Sequence, residues 1–143
     1  MAGMSKYLAL AVFDMTLNPV KSSFTPPAGI WLALHTGAPS DSTYGNEASF
    51  TGYARRALNS LTAVPQAQDA NGNVDILVSN GASVTFPAST YVSQQTVTHW
   101  AIWDSPNAGE GNILYSGSLP NGRVVSTGDS VIVPEGSLTL TLK

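Results

Sequence analysis

The stretch Val97-Thr98-His99-Trp100-Ala101-Ile102-Trp103-Asp104 decides how the rest of the chain is read. It holds two of the three tryptophans and one of the two histidines. Side chains of an extended segment alternate between two faces. Val97, His99, Ala101 and Trp103 are then expected on one face, and Thr98, Trp100, Ile102 and Asp104 on the other. Each face carries a large aromatic, whereas a half-exposed strand would keep one face polar. The stretch therefore reads as a central strand, covered on both sides.

Upstream, Ile30-Trp31-Leu32-Ala33-Leu34-His35 reads as a second buried strand behind the stiff connector Phe24-Thr25-Pro26-Pro27-Ala28-Gly29. Residues 50–58 form the next candidate strand, with Gly52 marking a bulge. Residues 61–73 show no sustained period. Residues 74–79 and 83–86 flank Asn80-Gly81, which is read as a hairpin turn because both residues tolerate positive φ. The same dipeptide recurs at Asn71 and Asn121. Downstream, a long turn over 105–111 leads to a strand at 112–119, a turn at Pro120-Asn121-Gly122 and an extended piece at 123–126. A strand over 129–133 stops at Pro134. Residues 137–142 (Ser-Leu-Thr-Leu-Thr-Leu) alternate strictly and need one apolar face.

The N-terminal part is different. A helix is expected over residues 5–17, capped by Ser5 and stopped by Asn18-Pro19. Leu8, Ala11, Val12 and Met15 fall on one face. Tyr7, Leu10 and Phe13 make it apolar almost all round, with Lys6 and Asp14 as exceptions. Such a helix must cover a sheet face or dock on a neighbouring chain. Roughly eight strands and one helix give a mainly β chain, an antiparallel β-sandwich of jelly-roll type. At 143 residues, one domain is expected over 1–143, with the N-terminal helix within 1–18 and the sandwich over 24–143.

Composition narrows the function classes. Lys and Arg number six, the formal net charge is −3, and no basic patch is visible, which argues against a nucleic-acid partner. Charged residues make up 10% of the chain, far fewer than in an ordinary soluble domain, as suits either a surface held in permanent contacts or an ordinary β-domain with a bland surface. With no cysteine, disulfides, thiolate chemistry and cysteine-ligated zinc are excluded. No apolar run is long enough to span a membrane, so no membrane partner is expected. The apolar segment after Lys6 is interrupted by Asp14 and is read as part of the mature fold rather than a signal peptide.

No constellation of residues demands chemistry. His35 and His99, with Asp104, Glu47 or Asp41, are the candidate metal ligands, but each histidine is single in its segment, and a buried or interface histidine explains them better. No Gly-x-Ser-x-Gly elbow fixes a nucleophile. The acidic residues lie scattered in turns, unlike the paired carboxylates of glycoside hydrolysis. Asp69-Ala70-Asn71-Gly72-Asn73-Val74-Asp75 begins like a calcium loop, then has Val74 where glycine is required and Asn80 where a bidentate glutamate is required, so a plain turn is favoured. Arg55-Arg56 would place one arginine outward and pair the other with a carboxylate. Trp31, Trp100 and Trp103 could form a sugar-stacking platform, but tryptophans within apolar strands read as core. No catalytic, cofactor-binding or metal residue is therefore expected, and no cofactor.

The order of several segments adds a resemblance. Tyr7-Leu8-Ala9 is followed by Leu32-Ala33-Leu34-His35-Thr36-Gly37-Ala38-Pro39-Ser40-Asp41, then Tyr53-Ala54-Arg55-Arg56-Ala57, then Thr98-His99-Trp100-Ala101-Ile102-Trp103-Asp104. Gly111-Asn112-Ile113-Leu114-Tyr115-Ser116-Gly117, Gly128-Asp129-Ser130-Val131 and the alternating Leu138 to Leu142 complete it. Together these resemble a family of small virion proteins of tailed bacteriophages labelled tail fibre proteins. The resemblance implies a virion component made in the host bacterial cytoplasm, with other virion proteins (major capsid or tail proteins) as partners and no catalytic residues. A non-enzymatic structural protein is expected, serving as a capsid decoration (cement) protein or as a tail-fibre or adaptor component. The alternative is a carbohydrate-binding jelly roll contacting a host glycan. The apolar helix and unguarded sheet edges imply a symmetric homo-oligomer, a trimer or a ring, and the three-fold positions common on viral particles suggest the trimer.

Overall fold

A computed structural model of the chain describes residues 3–18, 24–40, 45–90 and 94–143. The fold is mainly β, in antiparallel sheets with one helix. A short strand, β1 (Gly3–Met4), precedes the helix α1 (Lys6–Leu17). Strands β2 (Trp31–His35), β3 (Arg56–Ala57), β7 (Gln95–Trp103) and β8 (Ile113–Val125) join β1 in a five-stranded sheet of order β1-β8-β7-β2-β3. Strands β4 (Leu61–Pro65), β5 (Ile76–Asn80) and β10 (Thr139–Leu142) form a sheet of order β10-β5-β4. The last pair is β6 (Val84–Thr85) with β9 (Ile132–Val133).

The stretch that decided the reading lies in β7, the middle of the five-stranded sheet, and both its faces are covered. Leu32 and Leu34 of β2, with Trp100 and Ile102 of β7, pack against Val84, Phe86, Val131 and Leu138 from the smaller sheets and their flanks. This contact makes the fold sandwich-like, and its layers are consistent with a jelly roll. On the opposite face, Ala33, Ala101, Trp103 and Ile113 form a second, smaller cluster. The Trp100 ring packs close against β8 at Gly117, where a Cβ would stand 2.7 Å from the ring.

One detail of the alternation is overturned. Val97 packs with Trp100 and Ile102, not on the face of Ala101 and Trp103. The pairing of β7 with β8 shifts between Val97 and His99, and such an irregularity inverts the order of faces beyond it.

The same irregularity corrects the reading of residues 112–126. Pro120-Asn121-Gly122 does not separate two strands. Val97 is paired with Arg123 and His99 with Ser118, so β8 runs along one neighbour throughout and bulges outward between those points.

Asn80-Gly81 is not a hairpin turn either. β5 pairs with β4 and β10, while β6 pairs with β9. Asn80 is buried, donates its side-chain amide to the carbonyls of Ala82 and Pro134, and accepts from the Leu138 amide. It clips the end of β5 to the turn between β9 and β10. The true hairpin joins β4 to β5 through the turn at Asn71-Gly72, with Gly72 at φ +84°. Strand β4 therefore falls inside the segment read as aperiodic. It is exposed along its whole length, and without a buried face it leaves no periodic signal.

Residues 50–58 contribute only β3 as strand. The Tyr53 amide bonds back to the Phe50 carbonyl at 2.9 Å, turning the chain before it enters the sheet edge. The tail keeps its expected alternation, with Leu138 and Leu140 buried and Thr139 and Thr141 exposed.

Candidate functional site

The helix forms where expected. The Ser5 hydroxyl oxygen accepts from the Leu8 amide at 3.1 Å, capping the first turn. The same hydroxyl donates to the Ile113 carbonyl, and the Ser5 amide donates to the Leu114 carbonyl at 2.9 Å. One buried serine thus starts the helix and clips it to β8.

Beyond that clip the helix is barely covered. Only Ala11 is buried, and Leu8 packs against the core from a half-buried position. Val12 and Met15, expected on the inward face with them, are exposed. The helix rests on β8 by a narrow strip, so the apolar face is wider than its seat. Met4, Tyr7, Leu10, Val12, Phe13, Met15 and Leu17 are each between 39% and 75% exposed. At roughly 200 Å² for each large side chain this is on the order of 700 Å² of apolar surface. Free monomers rarely expose much more than a few hundred Å² in one region, and such surface marks a place of contact.

A second feature opens where β8 bulges. A cleft of about 410 Å³ has Leu32, Leu34 and Trp100 among its lining. Leu119 and Pro120 of the bulge, Arg123 at its end and Ile132-Val133 of β9 wall it. Sequence reasoning missed this cleft entirely. Its only trace was a proline and an Asn-Gly inside an otherwise extended segment.

The polar residues weighed as chemical candidates gather instead in a buried node. Arg55 donates to both carboxylate oxygens of Glu47, at 2.8 Å each. Its remaining donor group reaches the Ser105 carbonyl at 2.9 Å and the Glu110 carbonyl at 3.0 Å. The guanidinium also lies 4.0 Å from the centre of the Trp103 ring. The Tyr53 hydroxyl donates to Glu47 at 3.0 Å and accepts from the Leu34 amide at 3.1 Å. Burial pushes the Tyr53 phenol far above its ordinary value, and the Glu47 charge adds to the effect. Arg55 thus ties the loop after β2, the central strand and the 105–110 turn together, while Arg56 is exposed in β3. Removing one partner of such a buried pair typically costs about 3–5 kcal/mol, because the other is left as an uncompensated charge.

The two histidines face each other across β2 and β7. His35 is fully buried and stacked on Trp103 with planes 8° apart. Neither of its ring nitrogens reaches a hydrogen-bond partner among the described residues, although the Gly45 backbone lies close enough to favour the charged form slightly. Burial lowers its pKa to about 4 against the opposing pull of Glu47, so it is neutral at pH 7. The His99 Nδ1 lies 2.8 Å from the Thr98 hydroxyl.

The carboxylates around them are occupied. Glu47 is held by Arg55, and Asp104 accepts from the Asn112 amide at 2.6 Å and from its side chain at 3.0 Å. Asp41 lies outside the described residues. Among the described residues, no group of three or more His, Asp or Glu side chains is arranged to hold a metal ion.

Asp69 closes its own turn, accepting from the Asn71 and Asn73 amides at 2.8 and 2.9 Å and from the Asn73 side chain at 3.2 Å. Those bonds, Asn73's first, hold its carboxyl below the ordinary carboxylate value. The alternating oxygens that resembled a calcium loop are thus the caps of a hairpin end. Trp100 and Trp103 are core residues, and Trp31 is half-buried.

What the surface offers is therefore an apolar helix and a cleft, features of a protein that works by contact. The sequence matches, over residues 3–141, the family described as Podophage GP4 fiber I protein gp80. The chain belongs to this family. It is a phage fibre structural protein, a component of the virion that associates with other virion proteins. No curated protein matches the chain. The fibre family gives the exposed helix a context, since a virion component is used in an assembly and not as a free molecule. Among the described residues no helix is long and apolar enough to cross a membrane.

Proposed function

We propose that the chain folds as one unit over 1–143 and works, without catalysis, as a self-associating fibre or adaptor subunit at the phage tail. The observation that carries this is the apolar surface of α1. The six exposed apolar side chains of α1 present on the order of 600 Å² at roughly 200 Å² each, a large part of the roughly 800 Å² per partner that a standard stable interface buries. The family description favours a fibre position over capsid decoration. Several copies joined rigidly would hold a symmetric site on the particle far more tightly than one, through effective concentration. A trimer is the first expectation, with synthesis in the host cytoplasm before assembly.

The test is mass by light scattering at micromolar concentration, for the full chain and for the variant Leu10→Gln/Phe13→Gln/Leu17→Gln. All three side chains are exposed, so the fold is retained. A defined oligomer that falls to monomer in the variant is the expected result. A monomeric full chain that still attaches to isolated phage tails would overturn it.

A further inference from the structure

The cleft and the helix are complementary, and both belong to the same chain. Leu10, Phe13 and Leu17 are the three most exposed apolar residues of α1. Their spacing of i, i+3 and i+7 puts them in one stripe, the pattern of a helix that enters an apolar groove. Asp14 flanks that stripe and has no ion-pair partner among the described residues. The cleft has an apolar floor and, among the described residues, one cation in its wall, Arg123, which likewise has no ion-pair partner among them. No residue of α1 lines the cleft of its own chain, because the helix is clipped to the start of β8 and the cleft opens beside its later part.

Resting on the self-association proposed above, we infer that the cleft receives the helix of a second copy. Phe13 and Leu17 enter between the β8 bulge and β9, and Asp14 meets Arg123. The contact joins two different surfaces, so its repetition builds a ring where the rotation closes and an open filament where it does not. Apolar burial supplies the attraction, and the single charge pair sets which way the helix lies. The bulge in β8 then has a purpose, since its Leu119, Pro120 and Asn121 form one wall of the cleft. The occupant is a second copy rather than a small molecule because the floor is apolar and the one cation matches the one acidic residue on the helix.

Charge reversal tests this directly. Asp14→Arg and Arg123→Asp are each expected to weaken association about tenfold or more by placing like charges together. Combined in one chain, they are expected to restore it. The absence of cysteine gives a second readout. A mixture of Phe13→Cys chains with Asn121→Cys chains should form a disulfide-linked pair under mild oxidation, beyond what either forms alone. Oligomers of unchanged mass in all charge variants, with no excess cross-link in the mixture, would refute the helix-in-cleft contact while leaving self-association standing. A monomeric wild-type chain would remove both.

Discussion

At the scale of the residue, His35 shows how a fold can reverse the reading of a side chain. In sequence it is a possible ligand at the end of a strand. In the structure it is a stacked ring inside the sheet, with a pKa lowered from 6.5 to about 4 chiefly by burial. The unfolded chain therefore binds a proton between those values that the folded chain refuses. This contribution to stability is full above about pH 6.5 and is lost as pH falls toward about 4, below which it is constant. Its size is at most about 3 kcal/mol. His35→Gln should flatten the dependence over that window, measured as the difference in urea midpoint between wild type and variant at each pH. Parallel curves for the two proteins would show that His35 is not the proton acceptor. The pairing of Arg55 was legible in part, since a doublet in an extended segment must send one arginine inward. Its partner was not, because Glu47 approaches through a loop whose path no periodicity records. Ser5 was legible as a cap, but nothing local shows that its hydroxyl also bonds β8, more than a hundred residues away.

At the scale of the element, long apolar segments read well and polar or short ones did not. The two central strands and the helix follow from burial on two faces and from a cap with a 3.6 period. Strand β4 has no buried face and so left no signal. The three Asn-Gly pairs show why a local motif is insufficient. Asn71 closes a true hairpin, Asn121 sits in the bulge of β8, and Asn80 is a buried clip. Their conformational tolerance is the same, and only tertiary pairing tells them apart. This distinction is measurable. Asn80→Ala strands the Leu138 amide, whose bond to Asn80 is buried, and leaving such a buried group unsatisfied should cost about 1–3 kcal/mol. Asn71→Ala, at an exposed turn, should stay within about 0.5 kcal/mol of wild type. Equal urea midpoints for the two variants would mean that Asn80 is no clip.

At the scale of the whole molecule, the buried features and the exposed ones have separate tasks. The core and the Arg55 node need no partner, since each polar group in that node meets another within the chain. The helix is the reverse case. Ser5 holds it in place, yet most of its apolar side chains are exposed, a state that costs solubility in a chain of which only 10% is charged. Association through that face ties folding stability to concentration, because whatever binds the folded state alone stabilises it by mass action. The temperature of unfolding should therefore rise by several degrees over a hundredfold increase in protein concentration, as about 2–3 kcal/mol of linkage would produce in a chain of this length. The Leu10→Gln/Phe13→Gln/Leu17→Gln variant should unfold at one temperature throughout. If heating is irreversible, the urea midpoint at the same concentrations carries the same information. This measurement asks about the folded subunit itself and needs no phage particle. A full chain whose midpoint ignores concentration would show that the helix is built for a different virion protein and not for its own copies.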